Sequence, residues 1–241
     1  MIEENEILDK LKLVEVRTGK DRTIKSYVLR NNLLSEEGRE IVLSTFPEFG
    51  VFFDKEKKLS SQYLFNNDLP LILEIGFGMG ASTQIVAEQN PDTNYLGLEV
   101  YLEGVVRLLR DSKRRELKNL KIMRFNAVDV LQTMVEDNSI DGFHIFFPDP
   151  WPKKKHHKRR LIQPEFVSLL ERKLKKGGYI YLATDWQEYA DWMLEVLSQE
   201  PLLHNRYESV APPQAWRPMT KFERKGLDKD YKINEIIFEK N

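Results

Sequence analysis

Cysteine is absent from the 241 residues. That absence excludes a disulfide framework, a cysteine nucleophile and a thiolate metal site. Histidine is scarce, with four in the chain. The adjacent pair His156 and His157 is not at ligand spacing with the others, so no metal is expected. No stretch approaches the ~20 consecutive apolar residues of a membrane helix. Met1–Lys10 is acidic and lacks the apolar region of a secretory signal. Neither a membrane partner nor an export signal is therefore expected, and a cytoplasmic home is. There is no internal repeat and no low-complexity run.

What is present is ordinary for a soluble protein: 41% hydrophobic and 31% charged residues. The length suits one large domain, or one domain with an N-terminal extension, and suffices to bury a substantial core. The sequence leaves monomer and homodimer both open. The net charge of −1 hides an asymmetry. Lys153–Arg160 reads KKKHHKRR, with six Lys/Arg and no acid. A mildly acidic body with one dense basic segment points to a localised polyanion contact.

From Leu71 onward apolar runs alternate with helical patterns, the mark of βαβ units and a parallel sheet. Strands are expected at Leu71–Ile75, Tyr95–Leu98, Leu120–Phe125, Gly142–Phe147 and Tyr179–Ala183. A closing strand is expected around Ile233–Phe238, rich in β-branched residues. Helices are expected at Ala81–Gln89, around Leu102–Leu109, from Pro164 to a stop at Lys175-Lys176-Gly177-Gly178, and at Trp186–Ser198. The expected fold is α/β and Rossmann-like, a mostly parallel twisted sheet with helices on both faces. Residues before about Phe65 give no clear sheet pattern. We read 1–65 as an N-terminal extension and 66–241 as the main domain. Arg17, Lys20, Arg22, Lys25 and Arg30 in the extension face only Asp21 as a nearby acid, so it is read either as an added RNA contact or as a solvated arm.

The first strand runs into Glu74-Ile75-Gly76-Phe77-Gly78-Met79-Gly80-Ala81. Gly76, Gly78 and Gly80 allow a tight turn and close approach of a ligand to the main chain. Glu99 ends the second strand 19 positions beyond Gly80, where a carboxylate accepts ribose hydroxyls. The competing reading of Glu99 is an ion pair. Glu74 would oppose a pyrophosphate, which wants helix-terminal N–H groups, but would suit an ammonium group. This favours S-adenosylmethionine (SAM) over NAD. Asn126, after the third strand, is read either as an adenine contact or as a turn residue.

The fourth strand leads into Phe147-Pro148-Asp149-Pro150-Trp151-Pro152, a loop stiffened by three prolines. Ligands of open α/β sheets sit beyond the carboxyl ends of strands, so Asp149 is a carboxylate held at the active edge; the competing reading is a turn cap. Trp151 either stacks on a base or anchors the loop. The basic segment Lys153, Lys154, Lys155, His156, His157, Lys158, Arg159 and Arg160 follows at once. Its bland reading is a solvated or nuclear-targeting patch; its place beside Asp149 favours phosphate neutralisation next to chemistry.

Taken together, Leu73–Gly80, Phe147–Lys154 with His157–Arg160, Ala183-Thr184-Asp185-Trp186 and Thr220-Lys221-Phe222-Glu223 resemble the bacterial tRNA (guanine-N7)-methyltransferase family, from about Thr23 to the C-terminus. The proline-rich loop with its basic tail is the most specific of these. The resemblance implies SAM contacts at Glu74, Glu99, Asn126 and Asp149 and guanine or RNA contacts at Lys153, Asp185, Thr220, Lys221, Phe222 and Glu223. It also implies catalysis at Asp149 and a tRNA substrate methylated at guanine 46 of the variable loop. Asn126 departs from the Asp often found there. Guanine N7 carries an exposed lone pair, so no general base is required, and positioning plus a carboxylate near the migrating positive charge would suffice. An NAD-dependent oxidoreductase and a non-catalytic RNA-binding protein are the alternatives.

Overall fold

The computed structural model describes residues 4–15, 25–28, 33–219 and 232–241. They form two compact units. The first holds the described residues of 1–19 and 29–136, the second those of 20–28 and 137–241.

In the first unit, β1 (Leu71–Ile75), β2 (Asn94–Glu99) and β3 (Leu120–Arg124) lie parallel in the order β3-β2-β1. β1 is buried at every position, as continuous apolar runs in parallel sheets require. Leu73, Leu96 and Ile122 are fully enclosed. The connections are α4 (Ala81–Gln89) and α5 (Leu102–Arg114). α5 buries Leu102, Val105, Leu108 and Leu109, the i, i+3, i+4 stripe of an amphipathic helix, and leaves Arg107, Arg110 and Arg114 outside. α6 (Ala127–Thr133) follows β3.

The stretch before Phe65 contains α1 (Glu4–Lys12), α2 (Glu36–Phe49) and α3 (Ser61–Phe65). Ser35 caps α2, accepting from the Gly38 amide at 3.1 Å. Beyond α2, the Val51 amide donates to the Ile122 carbonyl at 2.9 Å, extending the pairing at β3 by a bridge at Gly50. Of the basic residues singled out in this stretch, Arg17, Lys20, Arg22 and Arg30 lie outside the described residues.

In the second unit the order is β4 (Ile140–Phe146), β5 (Leu174–Thr184), β7 (Asn234–Lys240) and β6 (Leu203–Asn205). β4 and β5 are parallel; β7 runs antiparallel to both β5 and β6. α7 (Pro164–Lys173) and α8 (Gln187–Ser198) complete it. The seven strands, mostly parallel and alternating with helices, are those of the expected Rossmann-like class.

One expectation is corrected. α7 stops at Lys173, before the Lys175–Gly178 run. Leu174 is extended and fully buried, and it pairs with Ile140. Lys175-Lys176-Gly177-Gly178 then lies inside β5 as a bulge, because Gly142 pairs with Tyr179. The core placement of Leu174 outweighed a helix-stop pattern. The short β6 was not anticipated; three residues carry too little alternation to register.

Candidate functional site

The glycine loop joins β1 to α4 in the first unit. Gly76, Gly78 and Gly80 all take the left-handed conformation, with φ of 78°, 58° and 69°, which costs glycine nothing. A β-carbon at Gly80 would stand 2.7 Å from Leu108, whereas none at Gly76 or Gly78 would meet an atom within 4 Å. Gly80 thus packs against α5, and the other two present bare backbone to open space.

Glu99 braces this loop. Its Oε2 accepts the Gly78 amide at 2.8 Å, and its Oε1 accepts the Val100 and Tyr101 amides at 2.7 and 3.0 Å. Burial pushes its pKa upward, opposed by these three amides and by Arg124. Arg124 is buried and donates to the carbonyls of Val100, at 3.0 Å, and Leu11. Its own pKa is pushed down to about 10 by desolvation, with Glu99 acting the other way.

Glu74 is enclosed at the end of β1. Burial raises its pKa to about 7; the Thr83 hydroxyl works against the rise and the Glu99 charge adds to it. A buried carboxylate that ionises near neutrality is suited to a cationic ligand. Asn126 caps α6: its Oδ1 accepts the Val128 and Asp129 amides at 2.8 and 3.4 Å, and its backbone amide donates to the Val14 carbonyl at 2.6 Å. The first unit therefore brings Glu74, the three glycines and Glu99 together around one loop, with Asn126 at the following strand end.

Two residues of this region carried no sequence assignment. Gly104 faces the loop from α5: a β-carbon there would sit 1.9 Å from the Gly78 carbonyl oxygen. A glycine inside a helix costs about 1 kcal/mol relative to alanine, and that cost was the available clue. Arg124 gave none, because its partners lie 24 and 113 positions away.

In the second unit the β4 strand ends in the proline loop. Phe147 and Trp151 take left-handed conformations, φ 53° and 44°, uncommon for bulky residues and held only where surroundings impose them. The Phe147 amide donates to the Ala183 carbonyl at 2.8 Å. Asp149 is exposed between the two strained residues. Trp151 anchors: its indole N–H donates to the Ser26 carbonyl at 3.2 Å, and the Arg159 guanidinium lies 3.9 Å from its ring centroid.

Lys154–Arg159 forms a 3-10 helix. Lys153, Lys154, Lys155 and Lys158 are exposed, and His156, His157 and Arg159 are half-buried. Arg160 was expected among the phosphate contacts; it is instead 3% exposed. It donates to the Pro150 carbonyl at 2.9 Å and forms a two-pronged pair with Glu188. Arg159 donates to the Lys25 and Tyr27 carbonyls at 3.1 and 3.4 Å. A guanidinium fork is well suited to such bracing. Asp185 is half-buried just after β5. Thr220, Lys221, Phe222 and Glu223 lie outside the described residues.

Among the described residues no group of three or more His, Asp or Glu side chains is placed to hold a metal ion. No helix among them is long and apolar enough to cross a membrane.

Residues 68–236 match the family model "Methyltransf_4: Putative methyltransferase". The chain is 48% identical over 218 residues to a tRNA (guanine-N(7)-)-methyltransferase of Methylobacillus flagellatus, covering 90% of this chain and 91% of that one. It is 42% identical to the enzyme of the same name from Neisseria meningitidis serogroup C, covering 93% and 94%. Among solved structures, the 16S rRNA methyltransferase KamB is similar in fold, with a TM-score of 0.55 at 13% identity over 75% of this chain and 92% of that chain. By sequence over nine-tenths of its length, this chain belongs to the tRNA (guanine-N(7)-)-methyltransferase family.

Proposed function

We propose that this chain transfers the methyl group of SAM to N7 of guanine in tRNA, at guanine 46 of the variable loop. The observation that carries the reading is the glycine loop. Its backbone is bare over Gly76 and Gly78, a cradle that any side chain would fill, and it is held by the Glu99 carboxylate. The donor set fits SAM. Glu74 meets the ammonium of the methionine part. Glu99 accepts from the ribose, since a carboxylate has about four lone-pair sites and three amides occupy three of them. Asn126 sets the start of α6 at the adenine edge. A pyrophosphate gains nothing from the carboxylates of Glu74 and Glu99 beside the loop, so the NAD-dependent alternative is not retained. The family is one of enzymes, so the non-catalytic alternative is not retained either.

When bound, SAM supplies an electrophilic methyl group on a sulfonium. The protein's share is alignment and charge. Guanine N7 attacks through its own lone pair, so no side chain has to remove a proton first. Asp149, on a loop fixed by prolines and by Phe147 and Trp151, orients the reactants and offsets positive charge as it moves from sulfur to the base. Asp185, with Glu223 by family resemblance, accepts from the guanine N1–H and amino group. Lys153 and Thr220 through Phe222 complete the base contacts on the same resemblance. Lys154, Lys155 and Lys158 meet phosphates, while Arg160 holds the loop. His156, His157 and Arg159 support that surface from half-buried positions. The setting is cytoplasmic, and residues 66–241 carry the reaction.

Labelled SAM incubated with the protein and unmodified tRNA tests the reading. Nucleoside analysis is expected to recover the label as 7-methylguanosine, and replacement of guanine 46 by adenine to abolish transfer. Label in another nucleoside, or none, overturns the reaction; label retained after replacement overturns the position.

A further inference from the structure

Arg217 sits in the second unit with no part in the site described above. Its Nη2 pairs with Glu235 of β7 at 2.6 Å, and its Nε donates to the Tyr181 hydroxyl of β5 at 3.0 Å. Tyr181 in turn donates to Glu235. Glu235 also accepts the Gln214 amide at 3.2 Å. The side chains of Arg217 and Glu235 are each 4% exposed. The guanidinium lies 5.6 Å from the Phe146 ring centroid and 5.9 Å from that of Phe147. Phe146 also meets Tyr181 edge to face at 5.0 Å.

A buried ion pair is a poor stability device. Its desolvation offsets most of its attraction, and apolar replacements of similar volume are often neutral or stabilising. What this pair does have is geometry. One planar guanidinium joins β5, β7 and the end of β4 at Phe147, the strained residue two positions before Asp149. A left-handed bulky residue persists only where its surroundings over-determine it. Arg217 supplies such a constraint, and lysine, a point charge on a flexible stem, would not reproduce it.

We infer that Arg217 is a positioning residue for the reaction: held by Glu235 and Tyr181, it fixes the rings of Phe146 and Phe147, and thereby the place of Asp149. The inference rests on the reading of Asp149 given above. It concerns turnover, where Asp149 is read to act; the glycine loop proposed to hold SAM belongs to the other unit.

The test is a double-mutant cycle on the full-length chain, with kcat, KM for SAM and thermal midpoint measured for each variant well below its melting transition. Arg217→Lys is expected to lower kcat about tenfold or more with KM for SAM unchanged. In an Asp149→Asn background the same substitution is expected to have little further effect, since both act at one place. Arg217→Met with Glu235→Met removes both buried charges. It is expected to recover the melting midpoint lost by Arg217→Met alone and not the turnover. A merely structural pair predicts that turnover returns with stability, and that result overturns the inference. Wild-type kcat in Arg217→Lys overturns it as well, whether or not the Met pair folds. Full turnover in both Asp149→Ala and Asp149→Asn overturns the reading of Asp149, whatever Arg217 does.

Discussion

Gly104 lies so close to Gly78 that a methyl group on its α-carbon would stand 1.9 Å from the Gly78 carbonyl oxygen. The neighbour is backbone, so no side chain can swing aside. Gly104→Ala is expected to push the loop out of register with Glu99 and weaken SAM binding about tenfold or more, with β1–β3 still folded. Calorimetric titration with SAM measures it. An unchanged dissociation constant would show that the loop moves at no cost.

If Glu74 meets the ammonium of SAM as proposed, SAM binding and stability oppose each other at this residue. Its pKa in the folded protein is about 7 against an ordinary 4.5, so between these values the folded state binds more protons. Stability therefore falls as pH rises from about 4.5 through 7. Glu74→Gln removes that penalty and is expected to gain roughly 2–3 kcal/mol at pH 8, with little gain at pH 4. SAM affinity runs the other way. A cationic ligand favours the carboxylate, so wild-type affinity is expected to fall as pH drops below 7, by up to tenfold per unit, and Glu74→Gln to lose that dependence. Denaturation and titration across pH 5–8 read both. A pH-independent wild-type affinity would remove Glu74 from the ammonium.

How much of this was legible beforehand follows the range of the interactions. The strand ends that carry the glycine loop, Glu74, Glu99 and Asp149 were visible because the apolar pattern marks them. Arg160 was misjudged because its neighbours in sequence are basic, whereas Glu188, its partner, lies 28 positions away on α8. Arg217 shares that character, with partners 36 and 18 positions distant. Gly177 copied a helix stop because the bulge in β5 holds it in the same left-handed conformation, φ 76°. Local rules found the loops; the ions that hold them in place are settled by tertiary structure.

The basic segment divides into two kinds of charge. Replacing Lys154, Lys155 and Lys158 with Gln is expected to weaken tRNA binding and to flatten the slope of log K against log salt by about 2, at roughly 0.7 per lost phosphate contact. The melting midpoint and SAM affinity should hold. Arg160→Gln is expected to do the reverse, lowering the midpoint because Pro150 and Glu188 lose their buried partner. Binding measured at several salt concentrations beside thermal melts tells them apart. If the lysine variant keeps both affinity and slope, the segment is a solvated surface and tRNA docks elsewhere.

Asp149 carries the catalytic reading, and its charge and its shape can be separated. It is exposed between Phe147 and Trp151, both held in left-handed conformations. The strain belongs to its neighbours, so substitution at 149 leaves the loop's anchors, Trp151 to Ser26 and Arg160 to Pro150, in place. Fold, SAM binding by the glycine loop and most tRNA affinity should survive, because phosphates dominate that affinity. Asp149→Ala is expected to lower turnover by about tenfold to a hundredfold, the scale of one positioned electrostatic group. Asp149→Asn keeps size and hydrogen bonding and removes only the charge. If charge near the migrating methyl is what matters, Asn falls nearly as far as Ala. If Asn retains full turnover while Ala loses it, Asp149 positions by hydrogen bonds alone. If both turn over normally while folded, Asp149 is a loop residue, and the group that offsets the moving charge has to be sought at Asp185 or Glu223.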